Sequence, residues 1–566
     1  MINYKEEIAK RIFEKTEEMT YDEILSLVEH PKNTEMGDFA FPCFKLAKLF
    51  KKAPNAIAET LASEISDSNL FSKVEAASGF LNFTVNASEF AKNIVEEVLN
   101  KKAEYGKSNI GLGKKTIIEY SSVNIAKPFH MGHIRSTMIG ESLHRIYKFL
   151  GYDTVAVNHL GDYGTQFGKL IVAYKLWGDK AVIESDPIPE LLKIYVRFHE
   201  AAETNPALED EARAWFTKLE NGDEEAVALW TLFKDMSLKV FNRVYEKLGV
   251  TFDSYAGESF YSDKMPAVVS ELREKGIVEK SEGAEIVNLE PYGLTPALIT
   301  KKDGSSLYLT RDLAAAKYRK ATYDFDKNIY VVGSAQKLHF QQWIKIVELL
   351  GYDWYKDCVH VEFGMVSLEE GALSTRKGNV VFLEDVLDKA VEQTLEIINE
   401  KNPNLANKEE VAKQIGIGAV VFQELYTSRT KDYAFSLEKT LSFEGETGPY
   451  VQYTHARACS VLKKVDLNAL EPSDYNALTD AASKDVVRLL SKFGENVILA
   501  HKNYEPHTVA RYTVELAQAF NRFYHDNAIL VDDASVKSAR VSLVHAVKIV
   551  LESALDLICL KAPEQM

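Results

Sequence analysis

Cysteine is scarce in this chain: four in 566 residues, at positions 43, 358, 459 and 559, with no CxxC pair. That spacing excludes a zinc ribbon or a disulfide framework and suits a reducing compartment. Long apolar runs are missing too. No stretch approaches the about 18 uninterrupted residues of a membrane span, and the opening MINYKEEIAKRIF has no signal-peptide core. A cytoplasmic protein without membrane attachment is expected. Internal repeats and low-complexity tracts are also absent. So is any excess of basic charge, since 67 Lys+Arg against 83 Asp+Glu leave a net charge of −16. Such acidity argues against coating nucleic acid through a uniformly positive surface. What remains is 46% hydrophobic and 27% charged, a globular composition that excludes disorder and collagen. At roughly 100–200 residues per domain, three or four units are expected.

The first hundred residues read as a small α+β module. A helical apolar pattern runs over 4–19, apolar periodicity resumes over 39–50, and 79–85 alternates like a strand. From Thr116 the texture changes. Short β-branched runs at 116–122, 154–160, 328–334 and 358–366 alternate with amphipathic helices, the pattern of a parallel sheet wrapped by helices. Between about 170 and 260 the strand signals disappear, which predicts a helical insertion. Residues 297–299 and 306–308, flanking Asp303-Gly304, read as a β-hairpin. After about Glu446 the apolar repeat is 3.6 residues throughout, with helices predicted at 485–501, 507–525 and 539–560. The resulting division is an N-terminal α+β domain over 1–108, an α/β domain over 109–445, and an all-α bundle over 446–566.

Two segments carry candidate chemistry. Pro128-Phe129-His130-Met131-Gly132-His133 lies between the first strand of the sheet and a helix. Ligands of doubly wound sheets collect there, and helix N-termini attract phosphate. Two imidazoles beside a glycine suit phosphoryl oxygens whose charge shifts during reaction. The spacing lacks the glutamate and four-residue interval of a zinc-protease helix, and a capping or core role for the histidines stays open. The second segment, Gly371-Ala372-Leu373-Ser374-Thr375-Arg376-Lys377-Gly378-Asn379, is a basic loop after a late strand. Arg376 and Lys377 suit phosphate neutralisation, or simply a solvated turn.

Together these segments resemble the paired signatures of class I aminoacyl-tRNA synthetases, whose catalytic domain is a Rossmann-like doubly wound parallel sheet. More specifically, the chain resembles arginyl-tRNA synthetases over its full length. The resemblance rests on Glu119-Tyr120-Ser121-Ser122-Val123-Asn124-Ile125-Ala126-Lys127-Pro128-Phe129-His130, Leu160-Gly161-Asp162-Tyr163-Gly164-Thr165-Gln166-Phe167-Gly168 and Tyr308-Leu309-Thr310-Arg311-Asp312-Leu313-Ala314-Ala315. It continues in Gly448-Pro449-Tyr450-Val451-Gln452-Tyr453-Thr454-His455-Ala456-Arg457 and in the final Ala562-Pro563-Glu564-Gln565-Met566.

The resemblance implies two steps: L-arginine and MgATP give arginyl-adenylate and pyrophosphate, then arginine passes to the terminal adenosine of its tRNA. Mg2+ enters with ATP as substrate, and no resident metal is implied. Residue by residue, it places His130, Gly132, His133, Gly333 and His339 around ATP, with a helix cap as the alternative for His339. Asp312 and Tyr308, one helical turn apart, match the pair that recognises the guanidinium; a forked carboxylate contact favours arginine over lysine. Structural pairing of Asp312 with Arg311, or a helix cap, is the alternative. Glu119 is the expected second carboxylate, and Asn124 and Gln336 match positions holding the substrate's amino and carboxylate end. The usual Lys-Met-Ser-Lys-Ser loop is replaced here by Ala372-Leu373-Ser374-Thr375-Arg376. The resemblance implies that a lysine just before the histidine motif compensates, and Lys127 occupies that place; which of Lys127, Arg376 and Lys377 neutralises the phosphates stays open on the sequence. For tRNA, Asn82 matches a position against the elbow, and Tyr450, Tyr524 and Met566 match positions on the anticodon side, where unpaired bases are read by stacking. Ordinary helix packing is the alternative for each tyrosine. A monomer is expected. A synthetase for another amino acid, a non-catalytic tRNA-binding relative and a generic adenylyl transferase remain open on the sequence.

Overall fold

The computed structural model describes residues 4–16, 18–31, 36–65, 69–301, 308–368 and 381–566. Near the N-terminus, β1 (Phe39–Pro42), β2 (Phe71–Ala77) and β3 (Phe80–Val85) form an antiparallel sheet in the order β1-β3-β2. The periodicity predicted across 39–50 divides in two. Phe39 to Pro42 pairs with β3 and only Phe44–Phe50 is helical, with the Cys43 N–H bonded to Gly79 O at the switch. Ile8, Ile12, Ile24, Phe41, Leu46, Leu81 and Phe83 fill a core of this unit's own. The helix Ala87–Lys101 instead turns Ala91, Ile94, Val95 and Val98 into the main core, among the helices nearer the C-terminus.

Each of the four β-branched runs coincides with a strand: β4 (Lys115–Glu119), β5 (Asp153–Val157), and, after an intervening antiparallel sheet, β9 and β10. That intervening sheet consists of β6 (Val278–Ser281), β7 (Ala284–Val287) and β8 (Ala297–Thr300). β9 (Lys327–Gly333) and β10 (Cys358–Phe363) complete a parallel sheet of order β10-β9-β4-β5. Chain direction therefore diverges between β4 and β9, which opens a crevice at their carboxyl ends. Helix Met131–Phe149 leads from β4 to β5 and Lys337–Leu349 from β9 to β10.

Between β5 and β6 lie helices, as expected of the insertion, the longest being Glu224–Leu248. The hairpin expected at 297–308 does not form as read. β8 pairs with β7, the turn lies outside the described residues, and Tyr308 begins a helix, Tyr308–Tyr323. The helical period prevails because Leu309, Leu313 and Ala316 recur at three- and four-residue intervals and all are buried.

The helical part near the C-terminus follows the predicted period with one break. The predicted helix over 485–501 is two, Ala481–Ser491 and Phe493–Asn503. At the break, Tyr105 and Tyr512 hydroxyls donate to the carbonyls of Leu490 (3.0 Å) and Leu489 (2.9 Å), replacing bonds a helix end leaves unmade. Phe493 packs so closely on Gly106 that a Cβ there would lie 2.5 Å from its ring.

Candidate active site

The segment joining β4 to helix Met131–Phe149 is strained. Ser121, Ser122 and Ala126 all have positive φ (69°, 50° and 58°), a conformation non-glycine residues hold only when their surroundings impose it. Here the long inserted helix imposes it: Ser121 Oγ meets Tyr245 Oη at 2.8 Å and the Ala126 N–H donates to Ser237 Oγ at 3.0 Å. Asn124 is placed by the Leu160-Gly161-Asp162 string, pairing with Gly161, where any Cβ would come within 2.1 Å of Asn124 Oδ1. Asp162 itself is structural. Its buried carboxylate accepts from Lys234 Nζ (2.7 Å) and from the Ser259 N–H (2.8 Å) and hydroxyl (2.7 Å), binding the insertion to the sheet.

His130 and His133 cap their helix reciprocally. The Gly132 N–H donates to His130 Nδ1 (3.0 Å), the His130 N–H donates to His133 Nδ1 (3.2 Å), and the rings lie 3.9 Å apart. With both Nδ1 atoms accepting, each neutral ring carries its proton on Nε2. Dense surrounding protein lowers both pKa values, that of His133 well below the ordinary range, and each ring feels Lys127 as well. The pair is thus neutral, with Nε2–H donors at the N-terminus of a helix. The capping role left open for these histidines is real, and it is also what aims them. Gly132 is required, since a Cβ there would lie 2.8 Å from the His130 ring.

Lys127 is exposed along part of its length, yet desolvation lowers its ammonium pKa, against the pull of Glu258. Glu258 was not visible in the sequence as a site residue, because nothing in its spacing links it to the motifs. The fold sets it between Lys127, Arg311, Asp312 and Asp162. Burial pushes its carboxyl up to about 7, with Arg311 opposing and the two aspartates adding. Arg311 pairs with Glu258 at 3.0 Å, leaving its neighbour Asp312 to a different partner. His339 Nε2 donates to Asp312 Oδ2 at 2.5 Å. His339 therefore stands beside the expected guanidinium carboxylate and does not cap its own helix, for which no side-chain cap bond forms.

Tyr308 opens its helix 58% exposed, with the Arg311 guanidinium 5.4 Å from its ring centre. Glu119, the other expected carboxylate, is already engaged: Arg319 Nη1 lies 2.6 Å from its Oε2, and both side chains are buried. Gly333 ends β9 and Gln336 is exposed on the turn that follows. A Cβ at Gly333 would meet nothing closer than the Phe363 ring at 3.9 Å, so the protein itself does not require glycine there. Gly333→Ala is expected to leave the melting temperature unchanged while raising KM for ATP about tenfold, equivalent to about 1.4 kcal/mol. Steady-state kinetics at saturating arginine would measure it.

Arg376 and Lys377 lie outside the described residues. From 381 the described chain resumes: Leu383 N–H donates to Phe129 O (2.9 Å) and Met131 N–H to Val381 O (3.4 Å), so 381–383 run beside the histidine segment.

Of the residues expected to meet tRNA, Asn82 is 3% exposed in the middle of its sheet, so its side chain is not presented to a partner. Met566 packs with Ile398, Ala412, Ile415 and Phe443. Tyr450 and Tyr524 belong to one surface cluster. Asn521 Nδ2 donates to Tyr450 Oη (3.0 Å) and accepts at Oδ1 from Arg457 Nη1 (2.5 Å), and Arg457 lies 4.9 Å from the Tyr453 ring and 5.1 Å from that of Tyr524. Tyr453 and Arg457 sat within the quoted string, and their four-residue spacing was the available signal. Other residues of that string are structural: Gln452 Nε2 donates to Lys561 O (2.9 Å) and His455 Nδ1 to Pro563 O (3.0 Å).

Comparison with known proteins agrees with this architecture. Residues 94–437 match the family model for the class I (R) tRNA synthetase catalytic domain, 3–85 the arginyl tRNA synthetase N-terminal domain, and 451–566 the DALR anticodon binding domain. Curated proteins named arginine–tRNA ligase from Clostridioides difficile (strain 630) and Halothermothrix orenii (strain H 168) are each 59% identical, with all of both chains covered. Among solved structures, Thermus thermophilus arginyl-tRNA synthetase superposes with a TM-score of 0.80 at 24% identity, covering 100% of each chain. The Plasmodium falciparum enzyme gives 0.76 at 23%, covering 100% of this chain and 98% of that one. Identities that low speak to fold alone, but the full-length curated matches and the three family models speak to descent: the chain belongs to the arginyl-tRNA synthetase family.

Proposed function

We propose that this chain is an arginine–tRNA ligase, joining L-arginine to the terminal adenosine of its tRNA at the expense of ATP. The observation that carries the reading is the arrangement at the diverging ends of β4 and β9. Two neutral imidazoles that keep their protons on Nε2 cap a helix on one side, and the Asp312 carboxylate stands on the other. The first group suits a triphosphate, the second a guanidinium, and the crevice between strands brings their two ligands together.

In the first step a carboxylate oxygen of arginine attacks the α-phosphorus of MgATP, and the bond to the pyrophosphate oxygen breaks. His130, His133 and the helix N-terminus donate to phosphate oxygens as their charge increases, and Lys127 adds a point charge. Neutral imidazoles suit this task because they donate without forming a fixed ion pair with the departing pyrophosphate. Asp312 and Tyr308 orient the guanidinium, with Asn124 and Gln336 at the amino and carboxylate end. Glu258 extends the negative field around the pocket. In the second step the 2′-hydroxyl of the terminal ribose attacks the arginyl carbonyl and AMP departs. The Tyr450–Tyr453–Arg457–Asn521–Tyr524 cluster offers aromatic faces and hydrogen-bonding edges to anticodon bases. The chain acts as a cytoplasmic monomer.

Arginine-dependent exchange of pyrophosphate into ATP, run with and without tRNA for arginine, tests the reading. Exchange specific to arginine is the expected result. Absence of exchange under both conditions, or faster exchange with lysine or glutamine, would overturn it.

A further inference from the structure

Arg135 stands two residues beyond His133 on the helix Met131–Phe149, and the proposed activity gives it no part. Its side chain is completely buried, yet it forms no ion pair among the described residues. A buried cation without a counter-ion is costly, and something must compensate it. What it meets instead is backbone. Nη2 is shared by the carbonyls of Ser428 (3.0 Å), Arg429 (3.0 Å) and Lys431 (2.8 Å), while Nε and Nη1 have no hydrogen-bond partner. The guanidinium lies 5.2 Å from the Tyr433 ring centre. The Tyr433 hydroxyl donates to the buried Glu424 carboxylate, which keeps that ring in place.

The segment gathered in this way holds the carboxyl end of β10. Arg429 Nη1 donates to Glu362 O (2.5 Å), the Gly364 N–H to Arg429 O (2.8 Å), and the Met365 N–H to Asp432 Oδ1 (2.6 Å). Tyr433–Phe435 then pairs in parallel with Val366–Leu368. Glycine is required at 364, since a Cβ there would lie 2.5 Å from Asp432 Oδ1. β10 ends beside Gly333, one of the residues matched to ATP: Phe363 pairs in register with it, and the Phe363 ring is the group a Cβ at Gly333 would meet. On its far side the segment is tied to the helical bundle, where Arg429 Nε donates to Tyr504 O (3.0 Å) and the Arg429 N–H to Glu505 Oε2 (3.4 Å). Among the described residues, Arg135 supplies the hydrogen bonds that join it to the histidine helix.

We propose that Arg135 is a positioning residue for the nucleotide: it fixes the 363–365 backbone relative to His130 and His133, so that both walls of the crevice meet one ATP molecule together. It touches no substrate and acts through the 428–432 segment. The role rests on the ligase reading for the identity of the nucleotide. Such precision matters because a misplacement of about 1 Å at a reacting centre costs about a hundredfold in rate.

The test compares wild type with Arg135→Gln, Arg135→Lys and Asp432→Ala, in pyrophosphate exchange and in ATP binding by isothermal titration calorimetry. Arg135→Gln is expected to raise Kd and KM for ATP about tenfold and to lower kcat, with KM for arginine unchanged. Arg135→Lys should recover most of the loss, because an ammonium offers three N–H donors to the three carbonyls. Asp432 is exposed, so Asp432→Ala should melt like wild type and still raise KM for ATP, by about threefold for one lost hydrogen bond. Arg135→Gln combined with Asp432→Ala should fall short of the product of the single effects, since both act through one segment. Equal rises in KM for arginine and ATP, or a lower melting temperature with unchanged constants, would overturn the proposal and leave Arg135 purely structural. So would Asp432→Ala kinetics identical to wild type, or an Arg135→Lys protein no better than Arg135→Gln. Should Arg135→Gln not fold, Arg135→Lys and Asp432→Ala carry the same comparison. ATP binding is read without the reaction, so a wild type that binds ATP but exchanges no pyrophosphate would sink the ligase reading while the Arg135 comparison stands.

Discussion

Asp312→Ala is expected to raise KM for arginine by about two orders of magnitude while changing KM for ATP little. A carboxylate that meets a guanidinium in a partly desolvated pocket is worth about 2–5 kcal/mol when truncated, since the cation is left without its partner. The same substitution frees His339, whose Nε2–H now donates to Asp312. If His339 turns instead toward the nucleotide, KM for ATP also changes, and His339→Ala in the Asp312→Ala background separates the two contributions. Initial rates of pyrophosphate exchange over a matrix of arginine and ATP concentrations measure both constants. Equal effects on the two substrates would mean that Asp312 only holds the helices Tyr308–Tyr323 and Lys337–Leu349 together.

Glu119→Ala is expected to have its largest effect on stability. Arg319 is 1% exposed, and Glu119 lies at 2.6 Å from its guanidinium. Removing the carboxylate leaves a buried cation without its counter-ion, at a cost of about 3–5 kcal/mol. Urea unfolding followed by circular dichroism should show a lower midpoint. Replacing both partners, Glu119→Leu with Arg319→Met, should recover part of the loss, because a matched apolar pair leaves no charge stranded. A Glu119→Ala protein that unfolds like wild type and shows only a raised KM for arginine would make Glu119 a substrate carboxylate and not a structural one. The contrast with Asp312 is informative: two acidic residues matched to one substrate by the family resemblance stand in different surroundings, one fully paired by the protein and one partly exposed.

Glu119 and Asp312 show how far the sequence could be read. Alternation of β-branched runs with amphipathic helices located all four strands of the parallel sheet, because period and composition are local properties that burial on both faces enforces. The histidine segment was legible for the same reason, since a strand, a short loop and a helix start fall within about twenty residues and place the motif at a strand end. The failures were local conflicts settled by distant partners. Residues 39–42 read as part of a helix until β3 paired with them, and 485–501 read as one helix until Tyr105, Phe493 and Tyr512 supplied packing and bonds that end the first half.

The chemistry of the site divides along the same line. Residue types and their spacing were sufficient to single out the imidazole pair and the basic loop, because each is a short segment whose chemistry travels with it, whereas the Tyr308–Asp312 pair came from the family resemblance. Which side chains meet was decided only in three dimensions. Asp312 faces His339, Glu119 faces Arg319, and Glu258 enters from the end of the insertion to join Lys127 and Arg311, across separations of 27 to 200 residues that no periodicity encodes. The scarcity of basic charge likewise takes its meaning from the fold. A net charge of −16 is a sum over the whole chain, whereas a binding surface depends on which charges lie within a Debye length of one another.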